Sequence, residues 1–144
     1  MLEDKNELLL KKIRQELRAR IAYYKPYNKQ RDFHNSRSRV TLMSGGNQSG
    51  KTYSACHDVA FNATGIFPDW YDGYRPEPTV TNGIKSLNIW VVGTDSDTVK
   101  LSLQAKLIGT EENKFEDGII PKELVPDEYM IKSKNRGAFS SVCV

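Results

Sequence analysis

The chain is poor in cysteine, in histidine and in long apolar runs, and each shortage removes a class of function. Cys56 and Cys143 sit in no C-x-x-C pair and at no metal-ligand spacing, so both read as free thiols of a reducing compartment. His34 and His57 each lack a second ligand at metal spacing, so structural roles are expected for both. No apolar run approaches the roughly 18 residues needed to span a bilayer, and no charged-then-apolar leader opens the chain. A soluble intracellular protein with no membrane partner is expected, and the glycosylation-like Asn47-Gln-Ser and Asn62-Ala-Thr carry no meaning there. Internal repeats and low-complexity segments are absent. With 144 residues, a hydrophobic share of 38% and a mean hydropathy of −0.58, the composition suits one polar-surfaced domain with a modest core.

Charge is small in sum and uneven in placement. The net value is +3, but residues 1–60 hold 12 Lys and Arg against 6 Asp and Glu, while the remainder holds 9 against 12. A basic front half suits a polyanion, and equally suits a helix that needs only to stay in water.

The informative stretch is residues 39–52. Val40 to Met43 read as a short strand, and Gly45-Gly-Asn-Gln-Ser-Gly-Lys-Thr52 then fits G-x-x-x-x-G-K-[ST], the phosphate-loop pattern. A helical segment from Tyr53 to Thr64 completes the strand–loop–helix context. Gly45 and Gly50 tolerate backbone angles that a side chain would forbid, so the loop can curl round a phosphate. The backbone N–H groups of Gly45, Gly46, Asn47, Gln48, Ser49 and Gly50 would then face a phosphate, aided by the positive end of the following helix. Lys51 would bring a cation to the β- and γ-phosphates, and the Thr52 hydroxyl would ligate Mg²⁺ beside phosphate oxygens. A nucleotide with Mg²⁺ is therefore the expected ligand.

Around this loop the pattern is α/β. Residues 4–24 read as a helix, opened by Asp4 and Glu7 as a capping pair. Leu10, Ile13, Leu17, Ile21 and Tyr24 make its apolar stripe, and Lys11, Arg14 and Arg18 a basic face. Pro26 ends it. Gln30 follows, and its amide offers the donor and acceptor that match the N6 and N7 edge of adenine, with Tyr27 or Phe33 expected to pack nearby. On the loop helix, Ala55, Cys56, Val59, Ala60 and Ala63 form a small-residue stripe, and Gly65 is its stop. Residues 66–78 read as a surface loop tethered by its own aromatics. Leu87 to Gly93 read as a buried parallel strand. Asp95 then caps a helix to about Ile108, with Val99, Leu103 and Leu107 inward. Residues 109–128 read as a solvated linker, with Glu111, Glu112, Glu116 and Asp117 close together. Two strands, 129–132 and 138–144, are expected across a turn. Strand, helix, strand, helix implies a parallel sheet flanked by helices.

Taken together, Tyr24-x-Pro-x-x-x-Gln30-x-x-Phe33-His34, the phosphate loop, and Gly65-x-Phe-Pro68-x-Trp-Tyr71-x-Gly73 resemble the large terminase subunit of tailed bacteriophages. The resemblance covers about residues 20–110. It implies an incomplete P-loop NTPase fold of the ASCE-like kind, with residues 1–25 as an N-terminal helix and 26–144 as a partial ATPase domain. It also implies an ATPase that drives double-stranded DNA into a procapsid. Such a protein works in the cytoplasm of the infected bacterial host, as a ring on the portal, with a small terminase subunit choosing the DNA. Carried over residue by residue, Gln30 matches the adenine motif, Lys51 the phosphate lysine and Thr52 the Mg²⁺ residue.

Two departures qualify what the resemblance implies. Many relatives place an arginine within the loop, where Gln48 stands here, and a glutamine offers no positive fork to developing phosphate charge. No apolar run ends in Asp-Glu, so the carboxylate pair that positions Mg²⁺ and water is missing, as are the nuclease carboxylates. The expectation is an N-terminal piece of a longer terminase, binding ATP but hydrolysing it feebly alone. Two other readings stand beside it: a small P-loop kinase or helicase-like ATPase using Asp95 on Mg²⁺, and a non-enzymatic assembly module docking through helix 4–24.

Overall fold

A computed structural model describes residues 7–12, 21, 23–81, 84–112, 117–125, 130–132 and 139–142. Its centre is the helix Lys51–Thr64, which starts two residues before the expected Tyr53. The helix stops where expected, because Gly65 takes the left-handed conformation at φ 68°, which costs a residue without a Cβ nothing.

This helix is buried on two sides. One side carries Cys56 and Ala60, with Val59 and Ala63 partly buried, against Leu107, Ile108, Ile119, Ile120 and Val125. The other carries Ser54, His57 and Phe61. There Phe61 joins Ile21, Tyr24 and Tyr71 in a second cluster with Ile66, Phe67 and Trp70. Ala55 departs from the expected stripe and is exposed. The small residues of the stripe allow close packing on the first side, and the aromatic cluster claims the second.

The short helix Asn28–His34 precedes the loop Gly45–Gly50 and presents Gln30 and His34, one turn apart, to the interior. The segment 66–78 forms neither helix nor strand and is held by its own rings, as expected. Phe67 and Tyr71 lie 4.9 Å apart, Phe61 meets Tyr71 edge-on at 5.6 Å, and the Arg75 guanidinium covers Phe67 at 4.6 Å. Gly73 is required by space, since a Cβ there would collide with the His34 carbonyl oxygen and the Tyr71 ring. Arg37 to Asp72 at 2.7 Å, with the Asp72 N–H donating to Asn35 Oδ1 at 2.9 Å, closes this loop onto the end of the Gln30 helix.

The third helical stretch runs from Ser96 to Leu107, with a π-helical centre from Val99 to Gln104. Leu107 is buried and Leu103 packs on the first cluster, as the spacing predicts. The expected linker 109–128 is corrected in its described part. Ile119 and Ile120 are buried, and their N–H groups donate to the Lys106 and Leu107 carbonyls at 2.9 and 2.8 Å. The local charge density concealed an apolar pair that closes the core at the end of that helix.

The sheets also differ from expectation. Neither 40–43 nor 87–93 forms a strand, and among the described residues no parallel pairing occurs. Two antiparallel hairpins occur instead. Thr79–Thr81 (β1) pairs with Ile84–Ser86 (β2), and Met130–Lys132 (β3) pairs with Phe139–Val142 (β4) through a bulge. The second hairpin matches the expected pair of strands. An extended parallel segment gains ladder hydrogen bonds only from a neighbour laid beside it, whereas a hairpin carries its own partner. Residues 87–93 still alternate as a strand would: Leu87, Ile89, Val91 and Gly93 are partly covered, while Asn88, Trp90 and Val92 are exposed. Val40, Leu42, Trp90 and Val92 are each at least 80% exposed.

Of the expected N-terminal helix, residues 7–12 and Ile21 are helical. Ile21 and Tyr24 are buried, but Leu10 is half exposed; Ile13, Leu17, Arg14 and Arg18 lie outside the described residues. No described helix is long and apolar enough to cross a membrane.

Candidate functional site

The loop Gly45–Gly50 leads directly into the helix Lys51–Thr64, so the first helical N–H groups open towards it. The first hydrogen bond of the helix is Ser54 N–H to Gly50 O at 2.9 Å, which leaves the N–H groups of Lys51, Thr52 and Tyr53 outside the helical ladder. No side chain caps this end, and no acidic residue stands in the first turn. An uncapped helix start free of local carboxylates suits an anion electrostatically.

Lys51 turns back over the loop. Its ammonium donates to Gly45 O at 2.8 Å, Gly46 O at 2.6 Å and Ser49 Oγ at 3.2 Å. Three protons thus meet three loop acceptors, and the charge is centred in the curl of the backbone. A phosphate oxygen entering the curl would compete with neutral carbonyls for the ammonium, and a charged acceptor makes the stronger bond.

The glycines divide into different roles. Gly50 is left-handed at φ 77°, and a Cβ there would lie 2.5 Å from Gln30 Nε2. Gly45 does not adopt a positive φ; its constraint is proximity, with Ser49 Oγ 3.1 Å from a Cβ position. Gly46 has nothing within 4 Å of its Cβ position. Gln48 takes φ 60°, the one described non-glycine residue with positive φ, and Asn47 and Gln48 are both exposed. Thr52 is half-buried in the first helical turn.

Gln30 is brought to this loop, and it is buried. Its Oε1 accepts the Tyr27 N–H at 2.9 Å and its Nε2 donates to Ser49 O at 3.3 Å. The Tyr27 ring, 79% exposed, does not pack beside it, while Phe33 is half-buried and meets His34 edge-on. The amide is therefore tied to the loop Gly45–Gly50, a role its sequence position alone does not disclose.

Behind the loop lies a polar group that sequence reasoning left as two structural histidines. His34 Nδ1 is 3.0 Å from Asp58 Oδ1, and its Nε2 is 3.1 Å from Tyr24 Oη and 3.4 Å from Ser54 Oγ. Tyr24 Oη and Ser54 Oγ are 2.6 Å apart. Tyr24 also stacks on His57, with ring centroids 3.9 Å apart. His57 donates its Nδ1–H to Tyr53 O at 2.9 Å, and burial lowers its pKa from the usual imidazole value. Spacing signals could not find this group, because its members come from three separate segments.

Asp95 is a helix cap. Its Oδ1 accepts the Thr98 N–H at 2.8 Å, and its Oδ2 accepts the Thr98 and Thr94 hydroxyls at 2.9 Å each. The Thr98 N–H, followed by these hydroxyls, holds the exposed carboxyl below its ordinary pKa. A carboxylate so engaged explains the start of its helix without any metal.

With this geometry established, comparison with known proteins adds one relationship. The chain is 31% identical to the large terminase subunit of Salmonella phage P22 over 119 residues, which covers 69% of this chain and 22% of that protein. The likeness is to a terminase. This chain spans about a fifth of that relative's length. No family model matches the chain, and no solved structure matches it.

Proposed function

We propose that this chain is the ATP-binding front of a terminase-like motor that moves double-stranded DNA into a procapsid. The observation that carries the reading is the Lys51 ammonium gathered by Gly45, Gly46 and Ser49 at an uncapped helix start. The left-handed Gly50 and the crowding at its Cβ position fit a backbone shaped for close approach rather than a chance glycine-rich turn. The partial likeness to a phage terminase directs that loop towards DNA packaging. In this reading Gln30 selects adenine and the loop from Gly45 to Gly50 holds the phosphates.

Mg²⁺ fits only in part. Thr52 supplies one hydroxyl, and no group of three His, Cys, Asp or Glu occurs among the described residues. The ion would rest mainly on phosphate oxygens and water, supplying charge neutralisation. In the same reading the fold is an incomplete P-loop NTPase, and the extended segment 87–93, covered on one side only, would need a further strand or helix on its exposed face. The double-stranded DNA, small subunit, portal and ring of copies belong to the motor as partners, and hydrolysis by these residues alone is weak.

Isothermal titration with Mg-ATP tests the core of the proposal. Binding is expected in the folded chain and is lost in Lys51→Ala. Equal binding by both, or none by the folded parent, defeats it.

A further inference from the structure

We propose that His34 is a positioning residue for the nucleotide loop, acting through the helix Asn28–His34 to hold the Gln30 amide against Ser49 and Gly50. The proposal rests on the nucleotide-binding reading of that loop and extends it to residues that never touch the ligand.

One arrangement of protons satisfies every atom of this group. Asp58 as a carboxylate only accepts, so Nδ1 of His34 carries the proton it donates. With the ring proton on Nδ1, Nε2 accepts the Tyr24 O–H. The Tyr24 oxygen in turn accepts the Ser54 O–H at 2.6 Å. The order Ser54, Tyr24, His34, Asp58 runs through three segments: the loop helix, the stretch after Ile21, and the Gln30 helix.

These are also the residue types of a hydrolytic triad, but the geometry speaks against one. Ser54 is 0% and His34 1% exposed, and the serine hydroxyl lies closer to Tyr24 than to the histidine. A nucleophile sealed from substrate performs no acyl transfer, so the chain's consequence is mechanical. Fully satisfied buried networks fix a unique arrangement, because a shifted member leaves its partner unpaired in a dry interior.

The Gln30 helix is thus fastened twice on one face. His34 anchors it to Ser54 and Asp58, one turn apart on the loop helix. Gln30, one turn earlier, anchors it to the loop through Ser49 O. Four residues of helix separate the two anchors by about 6 Å. Loosening His34 frees that short helix to shift, and the amide beneath Gly50 shifts with it. Tyr24 extends the same linkage to the N-terminal segment.

The test uses Tyr24→Phe, which removes one hydroxyl and keeps the ring on His57, and His34→Asn, which keeps a donor for Asp58. In nitrogen–proton NMR of the full chain, the Gln30 side-chain amide should show slowed exchange in the parent and move to free-amide positions in both variants. In titrations the preference for ATP over GTP should fall about three- to tenfold, the scale of one misplaced hydrogen bond. Affinity for inorganic triphosphate should hold. An unchanged Gln30 amide in both folded variants overturns the proposal, and so does an equal loss for ATP, GTP and triphosphate. A parent without ATP preference overturns it as well. Failure of the nucleotide reading itself appears separately, as no Lys51-dependent triphosphate binding by the parent.

Discussion

Replacing Gly50 by alanine should injure the protein in a way that depends on Gln30. A non-glycine residue held at φ 77° costs roughly 1–2 kcal/mol in backbone strain. The added Cβ also lies 2.5 Å from Gln30 Nε2 and must displace it, breaking the bond to Ser49 O for about another 1 kcal/mol. The sum, about 2–3 kcal/mol, corresponds to a fall of about 1–1.5 M in the urea midpoint at an m near 2 kcal/mol/M. Gly46→Ala is the control, since nothing lies within 4 Å of its Cβ position and its φ is not positive; its stability should stay within about 0.5 kcal/mol of the parent. In a Gln30→Ala background the collision disappears and only the backbone strain remains. The double-mutant cycle should therefore show a coupling near 1 kcal/mol between positions 30 and 50. Full additivity, or a Gly50→Ala midpoint equal to that of Gly46→Ala, would refute the reasoning.

Two further predictions concern the buried titratable groups on the loop helix. His57 has its folded pKa lowered by burial, so the unfolded chain binds more protons as the pH falls. Its contribution is fully present above the unfolded value near 6.5 and is lost as the pH drops through the folded pKa. Urea stability should therefore decline from pH 7.5 to pH 5 with a gentler slope in His57→Phe, and identical slopes would contradict the assignment. Burial pushes the Cys56 thiol up to about 11. In a Cys143→Ser background, Cys56 should resist an aromatic disulfide reagent at pH 8 until denaturant is added, and rapid labelling of the folded protein would show that the site is open.

Local patterns survived into the structure wherever their cause was local. The Gly65 stop, the Asp95 cap and the hairpin of β3 and β4 each depend on residues a few positions apart. The hairpin of β1 and β2 has a local cause as well, since Asn82-Gly83 between Thr81 and Ile84 is a favoured two-residue turn pair. Expectations that needed a distant partner fared differently. Ala55 shares the spacing of Cys56 and Ala60 yet faces out, and Ile119 and Ile120 enter the core despite charged neighbours.

By itself the sequence determined the glycine-rich turn from Gly45 to Gly50, the helix that follows it and the cation of Lys51 at their junction, because backbone freedom, helix polarity and side-chain charge are properties of the local chain. Tertiary structure alone decided that Gln30 lies beneath Gly50 and that Tyr24, His34, Ser54 and Asp58 share one buried network. Those contacts join residues up to 30 positions apart, and nothing in their spacing specifies them. They form because a hydroxyl or imidazole shut in beside Phe61 and Trp70 is more stable with a partner in the protein than without one.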